Sequence, residues 1–294
     1  MRHLKGICCA LCTPFTENGE RVDETALKKH VDSMLEAGMH ILLVCGGTGE
    51  FAYLRPEERR RIAEVASKHI NGRAAFMVQT STVNTADAIE YAKHAEGVGA
   101  DGLLILPPFF EGPNQDGVYY HFEKIAEAIK IPIMLYNIPV HSGFDITPAF
   151  FKRLLEIDNI RYIKDSMADM VRIQQLLNIC GEKGEVFNGG DPTAFFSLVA
   201  GCTGCVWGAP NAMPKESVEL YNLVSSGRIV EARDLWKRMF PANLFFWTHV
   251  YNAAVKAATN LSGRKVGPCR KPVQPLTAAE MGELKEAMKP ILSR

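Results

Sequence analysis

The chain has 294 residues, 33 Lys and Arg against 33 Asp and Glu, and is 47% hydrophobic. A zero formal charge excludes nucleic-acid binding through a broad basic footprint, and the apolar fraction excludes a disordered, solvating chain. No apolar run approaches the roughly 18–20 residues that cross a bilayer, and the first six residues lead straight into a strand-like run, so a cytoplasmic protein with no membrane partner is expected.

In chain order, short apolar runs alternate with longer amphipathic ones. Predicted strands cover residues 7–15, 40–47, 74–80, 102–108, 131–138, 160–166, 185–190 and 202–208. Each is continuous in Val, Ile, Leu, Met or Cys, the pattern of a parallel strand covered on both faces. Predicted helices follow them at 23–37, 56–70, 85–98, 115–129, 147–156, 169–180, 192–200 and 214–225. Pro56 opens its helix with Glu57 and Glu58 behind it, and Gly38, Gly72 and Gly99 stand just past helix ends. Eight consecutive strand-helix units predict an α/β fold, a (β/α)8 TIM barrel, over residues 1–225. Helical runs at 229–240, 245–262 and 278–292 predict a C-terminal helical appendage, 226–294, packed on the barrel. The eight cysteines are too sparse for a disulfide scaffold and read as reduced, buried thiols.

Barrel enzymes place their chemistry at the C-terminal ends of the strands. Those ends carry Gly46-Gly47-Thr48-Gly49-Glu50, Thr80, Tyr136-Asn137, Lys164-Asp165-Ser166 and Asn188-Gly189-Gly190-Asp191. Lys164 falls inside an apolar strand, where an ammonium is costly unless it is paired or neutral. The functional reading is a Schiff-base lysine; the structural one is a lysine paired with Asp165 or reaching the rim. Tyr136 reads as a proton relay or as a core tyrosine bonded to backbone. The Gly47-Thr48 turn offers N–H groups and a hydroxyl to a carboxylate, or is a plain tight turn. Cys9-x-x-Cys12 and Cys202-x-x-Cys205 invite a metal reading, but residues i and i+3 of an extended strand point to opposite faces, so no metal site is expected.

In order along the chain, Thr13-Pro14-Phe15, Gly46 to Glu50, Leu106-Pro107-Pro108, Tyr136-Asn137-Ile138-Pro139 with Gly143, Ile163-Lys164-Asp165-Ser166 and Gly267-Pro268 resemble the dihydrodipicolinate synthase and N-acetylneuraminate lyase family of pyruvate-handling, Schiff-base enzymes. The resemblance implies that Lys164 forms an imine with a 2-oxo acid, that Tyr136 relays protons, and that Gly47 and Thr48 hold the carboxylate. It implies substrate contacts for His141, Gly189 and Asp191, and a homo-oligomer, dimer or tetramer. Because the protonated imine is itself the electron sink, no cofactor is required.

Three departures bear on the substrate. The synthases carry a threonine where this chain has Gly47, a tyrosine where it has Phe110 and an arginine where it has His141, whereas a histidine offers neither permanent charge nor a bidentate fork. Pro192 also replaces an acidic residue of the lyases. The expected activity is therefore retro-aldol cleavage or dehydration of a 2-oxo acid or 2-keto-3-deoxy sugar acid. The alternatives are dihydrodipicolinate synthase itself and, from another class, a non-catalytic 2-oxo-acid-binding barrel.

Overall fold

The computed structural model describes residues 2–293. Its strands are β1 (Gly6–Ala10), β2 (Ile41–Val44), β3 (Ala75–Gln79), β4 (Gly102–Ile105), β5 (Ile133–Asn137), β6 (Ile160–Asp165), β7 (Glu185–Asn188) and β8 (Gly204–Trp207). All pair in parallel in chain order, and β8 returns to β1, closing a barrel with no free edge. Between strands run α1 (Glu24–Glu36), α2 (Pro56–Ile70), α3 (Thr85–Gly97), α4 (Gln115–Glu127), α5 (Pro139–Ser142), α6 (Pro148–Leu154), α7 (Met170–Cys180) and α8 (Ala194–Ala200). After β8 come α9 (Pro214–Ser225), α10 (Ile229–Thr248), α11 (Tyr251–Leu261) and α12 (Ala278–Leu292). The fold is the expected TIM barrel with additional C-terminal helices.

Local chemistry sets the helix starts. The side chains of Asp23, Asn84, Asn114, Thr147 and Asp169 each accept from backbone N–H groups of the first turn of the helix that follows. Strand alternation divides the buried apolar residues into two cores. Cys8, Leu43, Met77, Leu104, Met134 and Phe187 fill the barrel. Cys9, Leu42, Phe76, Leu103, Leu135 and Val186 face the surrounding helices.

The strands are shorter than the apolar runs that predicted them. The first run leaves the sheet after Ala10, and Phe15 makes an isolated antiparallel bridge with Val22 instead. Apolar character reports burial: residues 11–15 stay buried beyond the strand, where the Phe15 N–H donates to the Val266 carbonyl and the Lys256 ammonium lies over the Phe15 ring. The short helix α5 had no counterpart in the predicted elements. The predicted runs 229–240 and 245–262 meet a different boundary: α10 continues through Pro241 to Thr248, and α11 begins at Tyr251. A proline costs an interior helix its hydrogen bond, but α10 is held by tertiary packing, with Trp236 stacked 6.4 Å from both Phe195 and Trp207. Burial of an aromatic side chain contributes about 1.5–3 kcal/mol.

Candidate active site

Tyr136 and Lys164 are register partners on β5 and β6, as are their successors Asn137 and Asp165. Two residues beyond the interior Tyr162, Lys164 points into the barrel, and its Nζ lies 3.8 Å from the centroid of the Tyr136 ring. Lys164 is only 6% exposed and makes no hydrogen bond or ion pair with protein among the described residues. That is the setting in which a lysine amine becomes a nucleophile.

Asp165 does not pair with Lys164, because adjacent residues of a strand face opposite sides. Its carboxylate accepts from Arg172 Nε at 2.7 Å, Asn137 Nδ2 at 2.8 Å and the Met167 N–H at 3.1 Å. Arg172 donates further to Asp145 and to the Ile146 carbonyl, and the Ile146 N–H returns to Asn137 Oδ1 at 2.9 Å. The outward neighbours of Tyr136 and Lys164 are thus cross-linked behind the sheet, which fixes the spacing of the inward pair.

Gly189 leaves the space that Lys164 uses. A Cβ there would fall 2.6 Å from Lys164 Cε and 2.1 Å from Ser166 Oγ. The Gly47-Thr48 turn sits beside the phenol, with the position of a Cβ on Gly47 lying 3.9 Å from Tyr136 Oη. Thr48 is buried and its hydroxyl has no protein partner among the described residues, while the Gly47 carbonyl accepts from Asn252 Nδ2 at 3.1 Å. Glu50, closing this turn, is an anchor: it pairs with Lys256 at 2.6 Å and accepts from the Arg270 N–H at 2.9 Å, both groups being C-terminal to the barrel.

Asp191 is 1% exposed in a single 3-10 turn after β7. Burial pushes its carboxyl up to about 7, against the opposing influence of the Tyr251 hydroxyl and the Lys164 charge. His141 is exposed on α5, the short helix that directly follows the C-terminal end of β5. Phe110 is 72% exposed, whereas its neighbour Phe109 packs edge-on against Phe51.

The structure therefore gathers Lys164, Tyr136, Gly47, Thr48, Gly189 and Asp191 at one end of the barrel, and leaves His141 on the surface. Ser166, named in the sequence among the strand-end residues but given no role, lies on the same side as Lys164 by strand alternation. Sequence reasoning missed Tyr251, Asn252 and Lys256, which α11 brings back to the strand ends. Nothing in an amphipathic helix announces such a partner.

The sequence model of the dihydrodipicolinate synthetase family matches residues 3–291. The chain is 34% identical over 285 residues to the 4-hydroxy-tetrahydrodipicolinate synthase of Pelobacter propionicus, an alignment covering 97% of this chain and 98% of that protein. The enzyme of the same name from Methanothrix thermoacetophila is 31% identical, covering 97% and 96%. Among solved structures, the chloride-inhibited dihydrodipicolinate synthase of Acinetobacter baumannii complexed with pyruvate superposes with a TM-score of 0.94 at 30% identity, covering 98% and 99%. YagE of E. coli K12, a prophage protein of the dihydrodipicolinic acid synthase family in complex with pyruvate, gives 0.93 at 28% identity, covering 97% of each chain.

Proposed function

The chain belongs to the dihydrodipicolinate synthetase family, whose members are class I aldolase-type lyases acting on pyruvate-type substrates, and from that membership we propose how its residues divide the work. The Lys164 amine adds to the carbonyl of a 2-oxo acid and, with loss of water, forms an imine. Protonated, the imine accepts the electron pair released when the neighbouring carbon–carbon bond breaks, giving an enamine. Tyr136, whose ring lies against Lys164 Nζ, passes the proton between the reacting oxygen and the imine. Thr48 and the N–H groups of its turn hold the substrate carboxylate, Gly189 leaves room for the imine, and Asp191 takes a hydroxyl on the distal part of the substrate. His141 meets that distal part from the rim.

The substrate is a 2-keto-3-deoxy sugar acid, cleaved to pyruvate or dehydrated. The observation that supports this reading is Asp191, a carboxyl buried at the lysine's end of the barrel and held by the Tyr251 hydroxyl, where a polyhydroxylated chain finds a hydrogen-bond partner. Condensation of pyruvate with aspartate semialdehyde is the second reading, supported by the whole-length similarity to proteins named 4-hydroxy-tetrahydrodipicolinate synthase. Borohydride added with pyruvate is expected to raise the intact mass by a reduced pyruvyl adduct located on Lys164; an unchanged mass overturns the imine. Pyruvate release from keto-deoxy sugar acids, run beside semialdehyde condensation, decides between the two substrates.

The protein works as a homo-oligomer in the cytoplasm. Exposed Phe110 on the loop after β4 suits contact with a neighbouring subunit, and eight free cysteines suit a reducing compartment. Sedimentation velocity tests the first point: a monomer at every concentration would overturn it.

A further inference from the structure

Tyr251 is the first residue of α11, yet its hydroxyl lies inside the barrel's C-terminal end. The phenol donates to Asp191, with its oxygen 3.1 Å from Oδ1 and 2.9 Å from Oδ2, and accepts from the Gly208 N–H at 2.9 Å. Three elements meet at this oxygen: the turn after β7, the end of β8 and the start of α11. Gly208 makes the approach possible, since a Cβ there would stand 2.7 Å from the phenol oxygen. The imine chemistry assigned to Lys164 and Tyr136 makes no use of Tyr251, and a pure packing role leaves its hydroxyl contacts unexplained.

Asp191 is free to turn about its side-chain bonds unless something holds it. We propose that Tyr251 is a positioning residue for substrate specificity: it holds the Asp191 carboxyl so that one oxygen faces the hydroxylated tail of the substrate, and it thereby makes the C-terminal helices part of the site's selectivity. This inference rests on the reading of Asp191 as the contact for a distal hydroxyl. Its chemistry is hydrogen-bond exchange alone. In the free protein the phenol proton is shared between both carboxyl oxygens; with substrate bound, a substrate hydroxyl engages one oxygen and the phenol keeps the other. The other titratable groups whose charge reaches this pair are Lys164 on β6, Tyr136 on β5 and Cys205 on β8.

The test compares the full-length protein with Tyr251→Phe and Gly208→Ala, the second keeping the phenol but displacing its oxygen. Each is assayed for pyruvate adduct formation with borohydride and for turnover of a keto-deoxy sugar acid across pH. Both variants are expected to form the adduct as the parent does and to show KM raised about tenfold, the worth of one well-made hydrogen bond, with a smaller change in kcat. The Asp191-dependent limb of kcat/KM should move to higher pH, because the carboxylate has lost a donor. Parental KM and an unmoved limb in either adduct-forming variant would overturn the proposal. Loss of the adduct in the parent itself would instead overturn the function proposed above, so the two failures are distinguishable.

Discussion

At the scale of single residues, the site depends on what each side chain lacks as much as on what it touches. Among the described residues Lys164 makes no hydrogen bond or ion pair and the Thr48 hydroxyl has no protein partner, so both are available to a ligand. Replacing Lys164 with Ala is expected to abolish adduct formation and to lower kcat by about 10³-fold or more, while Tyr136→Phe should retain the adduct and lower kcat by about 10²–10⁴-fold. Quenched-flow trapping with steady-state assays separates the two. Asp191 gives a stability prediction. Its carboxyl titrates near 7 in the folded chain against an ordinary value of 3.8, so the native state holds more protons than the unfolded chain between those values. Folding stability should therefore fall as pH rises from about 4 to about 7. Asp191→Asn removes that fall, leaving the variant more stable than its parent at pH 8 by roughly 2–4 kcal/mol and no more stable at pH 4. Urea denaturation at the two pH values measures the difference.

At the scale of elements, the pairing of β5 with β6 explains why two polar dipeptides sit side by side. Tyr136 and Lys164 face inward to the chemistry; Asn137 and Asp165 face outward and are tied together by Arg172 from α7. The outward half of this arrangement ties the two strands together behind the inward residues. Mutation of Asp165 to Ala leaves Arg172 paired with Asp145 but removes the acceptor of three donors, Arg172 Nε, Asn137 Nδ2 and the Met167 N–H. A loss of about 3–5 kcal/mol is expected, read from thermal unfolding. Asn137→Ala leaves Asp165 paired with Arg172 and should cost only about 1–3 kcal/mol, with kcat falling through misplacement of Tyr136. The inward alternation was legible in the sequence because strand geometry has a period of two. The identity of the outward partner was not, since Arg172 is brought to Asp165 by the packing of α7 on the barrel.

At the scale of the whole molecule, the C-terminal helices and the loop behind them are joined to the rim by a buried ion pair. Glu50 and Lys256 are 2.6 Å apart with almost no exposure, and Lys256 also donates to the Pro268 carbonyl at 2.8 Å. Breaking one side, as in Lys256→Met, leaves a buried carboxylate without its counter-charge and should cost about 3–5 kcal/mol, whereas the double variant with Glu50→Gln should recover much of the loss. A double-mutant cycle in chemical denaturation gives the coupling directly. The fold class was legible in the sequence alone, and so were Lys164 and Tyr136 as inward-facing candidates, because burial on both strand faces and alternation along a strand are local properties that leave a local trace. Tertiary structure alone decided that Arg172 meets Asp165 behind the sheet, that Glu50 anchors a distant helix, and that Tyr251 reaches Asp191 across 60 residues of chain. Those contacts depend on how closed layers pack against one another, and packing between residues far apart in the chain leaves no periodic signal in either partner's sequence.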